Sequence, residues 1–305
     1  MATFSIGQAL GDAFGLMCRR PLTVLAWGAL FVIPTVGFFV LLLPELAGLI
    51  AFNTFTGLEP GDPLPPDFVA RMTRLQTWSL GANLAQGVIL AVVYTAIMRA
   101  ILRPQERVGF SLRLGMDEIR VGVIGLAIMV GVYIFMVVAT VLCALIALGT
   151  WFGPRDAFAP VVCLLILALL GASMFVLARL SLIAPVSVLR RDFAFDEGWD
   201  LGKGQALRLF GLIVSVFGLV LLVEIILLVV GLIAVGLLVD FTGPRPFDLP
   251  DNPLASLQVW AGTHWIAVVA GLIAACVFYG FVTVVSVAPF ASACRQMTGG
   301  GAERS

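Results

Sequence analysis

Six apolar stretches, near residues 22–50, 78–102, 121–149, 160–188, 209–239 and 260–289, constrain the chain more than any other feature. Each exceeds the roughly 20 residues that an α-helix needs to cross about 30 Å of hydrocarbon. None shows the apolar–polar alternation of a membrane β-strand. Apolar residues reach 61% and charged ones only 12%, against about 25% charged in an ordinary globular chain. The sequence therefore predicts an all-α, polytopic membrane protein with six transmembrane helices arranged as three hairpins. A soluble domain, a disordered chain, a coiled coil and a nucleic-acid binder are excluded.

The 18 basic and 18 acidic residues cancel, so only their distribution informs. Arg19, Arg20, Arg99, Arg103, Arg107, Arg113, Arg120, Arg179, Arg190, Arg191, Lys203, Arg208, Arg295 and Arg304 fall on one side of the six spans. The other side holds Arg71, Arg74, Arg155 and Arg245. Loops rich in Lys and Arg stay in the cytoplasm, so both termini are expected there. The run from Leu22 to Leu43 is longer than the apolar region of a signal peptide, about 7–15 residues, and is expected to remain as the first span. Trp78, Trp151, Trp260 and Trp265 fall at the outer span ends, as interfacial rings do. The outer connections 51–77 and 240–259 hold Pro60, Pro63, Pro65 and Pro66, and Pro244, Pro246, Pro250 and Pro253. They are expected to be semi-rigid, polyproline-like loops.

A short amphipathic helix is expected before each hairpin. In the first, Ile6, Leu10, Ala13, Phe14 and Met17 share a helical stripe, and Ser5 with Gln8 has capping-box spacing. The second runs from Phe110 to Arg120, the third from Asp196 to Arg208. The expected division is an interfacial helix over 1–20, a six-helix transmembrane domain over 21–298 and a disordered cytoplasmic tail over 299–305. Arg19, Arg20, Arg190 and Arg191 are candidate contacts to lipid headgroups. The plainer reading makes these helices anchors that set hairpin depth.

Glu224 is the one carboxylate deep inside a span. A centred charge costs roughly 3 kcal/mol. The Leu, Ile, Val and Phe residues from Leu212 to Val230 return about 5–10 kcal/mol on the same scale, so the helix inserts regardless. Glu224 is thus either a proton or cation site, or a structural hydrogen-bonding group. Arg179 either pairs with it or snorkels to the interface. Glu45 is expected as a solvated carboxylate, and Pro34, Pro44 and Pro185 as kinks. Gly211 with Ser215, and Gly122 with Gly125, permit close helix approach. Asn83, Gln86 and Ser173 are candidate interhelical hydrogen-bonding groups.

The rest of the chemical inventory is thin. His264 is the only histidine, which precludes a His-rich metal site. Gly202-Lys203-Gly204 lacks the spacing of a phosphate-binding loop. The five cysteines form no C-x-x-C pair; a Cys143–Cys163 disulfide is conceivable. No catalytic, cofactor-binding or metal-ligating residue is expected, and no cofactor.

The segments Arg179-Leu-Ser-Leu-Ile-Ala-Pro-Val-Ser-Val188, Asp196-Glu-Gly-Trp-Asp-Leu-Gly-Lys-Gly-Gln-Ala-Leu-Arg208 and Ala293-Cys-Arg-Gln-Met-Thr-Gly299 resemble a bacterial six-span inner-membrane family. That family includes the membrane region of some glycerophosphodiester phosphodiesterases. The resemblance implies a six-helix bundle in the bacterial inner membrane with cytoplasmic ends. The catalytic barrel of the fused enzymes is absent from this chain, and no catalytic residue carries over. Three functions follow as alternatives. One is a non-enzymatic lipid-organising, accessory or scaffold protein, with membrane lipids and a second copy or another membrane protein as partners. Another is a transporter coupled to protons or cations through Glu224. The third is a lipid-modifying enzyme built on Asp192, Asp196, Glu197 and Asp200, a group more simply read as a solvated connection.

Overall fold

The computed structural model describes residues 4–55, 65–105, 112, 115–151, 155–238, 259 and 261–299. Among them the regular elements are helices: α1 (Ile6–Arg19), α2 (Pro21–Phe55), α3 (Pro66–Leu102), α4 (Met116–Trp151), α5 (Arg155–Leu180), α6 (Ile183–Arg190), α7 (Phe195–Leu201), α8 (Ala206–Leu238) and α9 (Trp265–Met297). Six segments are long and apolar enough to cross a membrane: Pro21–Leu49, Pro66–Leu102, Met116–Gly149, Phe158–Arg190, Ala206–Ile233 and Trp265–Met297. The protein is a polytopic all-α membrane protein. The proline-rich connection 240–258, Pro60 and Pro63, Arg107, Arg113, Arg245 and Arg304, Trp260, Phe110 and the tail beyond Gly299 lie outside the described residues.

Several boundaries differ from those expected. Helix α3 starts at Pro66, so residues 66–77 are helical and not part of a polyproline-like loop. Proline suits the first helical position because its missing N–H has no intrahelical acceptor there, and Asp67 in the first turn favours the positive helix end. The fourth span is interrupted by a turn at Ser181 and Leu182. The Pro185 ring would clash with the carbonyl of Ser181 in a continuous helix. The chain instead starts α6 at Ile183, which leaves Pro185 in a first turn. Pro34 and Pro44 lie inside an unbroken α2. The second amphipathic segment contributes, in its described part, only the first turn of α4. The third is the seven-residue α7, closed by a turn through Gly204 at φ +79° before α8 begins.

The chain forms two compact units. The first comprises residues 1–20, 91–220 and 284–305. Its core includes Ile97, Ile124, Leu182, Val188, Leu209, Leu212, Val284 and Val285, all fully buried. Helix α1 is docked in it. Ser5 accepts from the Gln8 N–H, as the capping-box spacing predicts, but its own N–H donates to Gln296 Oε1 at 2.9 Å. Asp12 accepts from Arg295 Nη2 at 2.7 Å and from the Ser292 hydroxyl. These bonds turn Phe4, Ala9 and Ala13 inward and leave Phe14 exposed. The buried stripe is therefore rotated from the one expected, because the Asp12 partners lie on the α9 side.

The second unit comprises residues 21–90 and 221–283. Here α2 and α9 meet backbone to backbone. A Cβ on Gly28 would collide with the Cys276 carbonyl and sit 2.7 Å from the Gly280 nitrogen; one on Gly280 would run into the Val24 carbonyl. Trp27 is buried beside this crossing, and Phe31 stacks on Tyr279 with centroids 5.2 Å apart. Without a hydrophobic driving force between helices in lipid, close backbone approach supplies the association energy. The glycines picked from sequence do less. Gly211 and Gly122 meet only the side chains of Ile6 and Ala91, and a Cβ at Gly125 would enter open space. Gln86 accepts from the Thr35 hydroxyl at 3.2 Å, linking α2 and α3. Ser173 contacts Met136 Sδ at 3.2 Å, linking α5 and α4, whereas Asn83 donates within its own helix, to Ser79. Glu45, expected to be solvated, accepts from Arg71 at 3.3 Å and Arg74 at 3.1 Å, joining α2 to α3. Both arginines are largely exposed, which limits such pairs to about 0–1 kcal/mol.

The α2–α9 crossing generates a first prediction. Gly28→Ala should lower stability in detergent by roughly 1–3 kcal/mol, the usual range for overpacking. Gly37→Ala in the same helix, with nothing within 4 Å of its Cβ, should be neutral or slightly stabilising. Thermal unfolding of the two full-length variants measures the difference.

Candidate functional site

Among the described residues of the first unit, a buried group of charged side chains forms where α3 ends and α4 begins. Arg99 lies in the last turn of α3 and Arg103 just past its end, one turn further on, with its N–H donating to the Arg99 carbonyl. Asp117 and Glu118 occupy the first turn of α4, and Arg120 follows them. Arg99 Nη2 donates to Glu118 Oε1 at 2.5 Å and lies 3.8 Å from Asp117 Oδ2. Arg103 Nη1 donates to Asp117 Oδ2 at 3.2 Å, and Arg120 Nη1 to Asp117 Oδ1 at 3.1 Å. The second Glu118 oxygen accepts the Gly115 N–H at 2.9 Å, which caps α4. Arg103 Nη2 also donates to the carbonyls of Val188 and Leu189, in the last turn of α6. A cation at a helix C-terminus is favoured by the exposed carbonyls and the macrodipole. One cluster thus ties three helices together.

Burial decides what these contacts are worth. Arg99 and Glu118 are each 5% exposed. Removing one partner of such a pair leaves an uncompensated buried charge, typically at about 3–5 kcal/mol. The Arg190–Glu197 and Lys203–Asp200 pairs are more than half exposed and contribute little by comparison.

The cluster walls a cavity of about 290 Å³ lined by Arg99, Arg103, Gly115, Met116, Asp117, Glu118, Arg120 and Arg191. Among the described residues, four arginines and two carboxylates line it. Arg191 reaches this wall from the C-cap of α6, where its backbone is left-handed at φ 60°, ψ 30°. A second cavity, about 440 Å³, is bordered by Arg190, Asp196, Glu197, Asp200, Gln205 and the end of α9. Among the described residues, no three His, Cys, Asp or Glu side chains are grouped to hold a metal ion.

Of the four arginines singled out from sequence, Arg191 joins the cluster. Arg190 turns to Glu197 at 3.0 Å. Arg19, exposed in the last turn of α1, and Arg20, half-buried just after it, border neither cavity. Arg179 lies with its guanidinium 4.5 Å from the Trp199 ring centroid. Its Nε is buried with no hydrogen-bond partner among the described residues, so cation–π attraction to α7 is what engages it. Glu224 sits on the exposed side of α8. The five cysteines are free thiols, Cys143 and Cys163 included. Arg99, Arg103, Asp117 and Glu118 were missed as a site. The legible signal was two arginines one turn apart at a span end, with two acids opening the next span.

No protein-family model matches the chain, and neither a curated protein nor a solved structure matches it.

The burial argument makes a second prediction. Arg99→Ala should cost about 3–5 kcal/mol of stability, whereas the double change Arg99→Met with Glu118→Leu should cost much less, because no charge is stranded. Chemical unfolding of both variants in the same detergent compares them.

Proposed function

We propose that this is a non-enzymatic integral protein of the bacterial inner membrane, with both termini in the cytoplasm, that organises lipid or serves as an accessory or scaffold subunit. The observation that carries this reading is the use made of three carboxylates in the first unit. Asp12 is held by Arg295, Asp117 by Arg103 and Arg120, and Glu118 by Arg99. An acid that catalyses or couples must reach a reactant; these join helices. The cytoplasmic placement is supported by the excess of arginine on the terminal side of the spans. The inner-membrane assignment is supported by the resemblance to the membrane region of glycerophosphodiester phosphodiesterases. Its partners are membrane lipids, with a second copy or another membrane protein.

Coupled transport through Glu224 receives less support. Glu224 borders neither of the two cavities, and no hydrogen bond or ion pair engages its side chain among the described residues. Native mass spectrometry of the full chain, extracted gently from its own membrane, tests the proposal. Stoichiometric phospholipid or a stoichiometric companion protein is expected. A bare protein, together with ion flux that Glu224→Gln abolishes, would overturn it.

A further inference from the structure

We propose that the exposed face of α8 around Glu224 is a self-association surface, on which two copies of this chain meet within the membrane. The proposal rests on the scaffold reading above and gives it a second copy as partner. Three observations carry it.

The first is where the carboxyl lies. Glu224 belongs to the membrane span Ala206–Ile233. At 1.5 Å per residue, about 14 Å of helix separate it from Ile233 and about 27 Å from Ala206. Its neighbours Leu221-Leu-Val and Ile225-Ile-Leu-Leu228 are apolar. A glutamate side chain is too short to carry its polar end to the interface over such distances, as Lys and Arg do near span ends. Ionisable groups inside a span face a bundle interior or a water-filled cavity, and they pair there. Glu224 is instead exposed, and among the described residues no hydrogen bond or ion pair engages its side chain. Hydrocarbon at that depth offers neither donor nor acceptor. The group that satisfies it therefore comes from outside this chain.

The second is what a carboxyl complements. Protonated, it has one O–H donor and keeps an acceptor oxygen. Two such groups satisfy each other, each donating to its counterpart, with no third residue. A two-fold interface sets the same patch of both copies face to face, so one carboxyl at its centre is enough.

The third is the surface around it. Leu221, Leu227, Leu228 and Gly231 stand three, four and seven residues from Glu224, on one helical face, and all four are exposed. A Cβ on Gly231 would meet nothing within 4 Å. A second helix can approach closely there, as helices do at small residues in membranes.

The test uses the full-length protein in liposomes of increasing lipid content, with the dimer fraction read by single-molecule photobleaching. The wild type should form dimers. Glu224→Leu should weaken dimerisation about three- to thirtyfold, the range that one interhelical hydrogen bond spans in membranes. Glu224→Gln should keep the dimer, because an amide also donates and accepts. In its own membrane, the protein with p-benzoylphenylalanine in place of Leu228 should photo-crosslink to a second copy. The same probe in place of Ile226, on the opposite side of α8, should not. A wild type that stays monomeric, or dimers indifferent to Glu224→Leu, would overturn the proposal. So would dimers lost in Glu224→Gln as fully as in Glu224→Leu, or a crosslink from position 228 to a different protein. Phospholipid or a companion protein retained by a monomeric wild type would remove this interface while leaving the broader function standing.

Discussion

The buried pair of Arg99 and Glu118 is the interaction on which the first unit most depends. Two opposite charges held 2.5 Å apart at 5% exposure have given up most of their hydration, and their pairing and hydrogen bonds must replace it. That dependence spreads. Glu118 also caps α4 through Gly115, and Asp117 beside it collects Arg103 and Arg120. Arg103 then reaches the last carbonyls of α6. Hydrophobic burial cannot do this work in lipid, where an apolar side chain gains little by leaving hydrocarbon for a helix interface. Polar contacts and backbone proximity must hold the helices, and the two units divide along that line: charges in the first, the Gly28–Gly280 crossing in the second.

The turn at Ser181 and Leu182 has a functional consequence. A continuous helix would carry residues 183–190 onward in line with α5. The Pro185 ring disfavours that continuation, and α6 instead presents its C-terminus to Arg103 while its cap, Arg191, reaches the cavity. The α6–α7 corner is then secured by Gly198, where a Cβ would lie 2.6 Å from the Ile183 Cα, and by the Ser187 hydroxyl, which accepts from the Ala194 N–H at 3.0 Å. The cavity is therefore a product of how the fourth span ends.

The six spans were legible because length and apolarity alone define a membrane helix. The Ser5 cap was legible because its signal is local. Interactions that join distant segments were not. Glu45 reads as solvated until α3 is seen to begin at Pro66, which brings Arg71 and Arg74 to it. The α1 stripe was misphased because Asp12 binds residues near the far end of the chain. Arg99 and Arg103 were counted only as charges that orient the protein, and their pairing with Asp117 and Glu118 requires the fold. Arg191 was picked out as a lipid contact from sequence; its left-handed backbone and three arginine neighbours were not visible there.

Hydrogen–deuterium exchange of the full-length protein in nanodiscs, wild type against Glu118→Leu, tests most directly whether the buried pair holds the first unit. The account predicts faster amide exchange together in residues 93–102, 116–124 and 183–188 of the variant, with residues 24–32 and 276–283 unchanged. Protection preserved throughout, or lost uniformly along the chain, would contradict it.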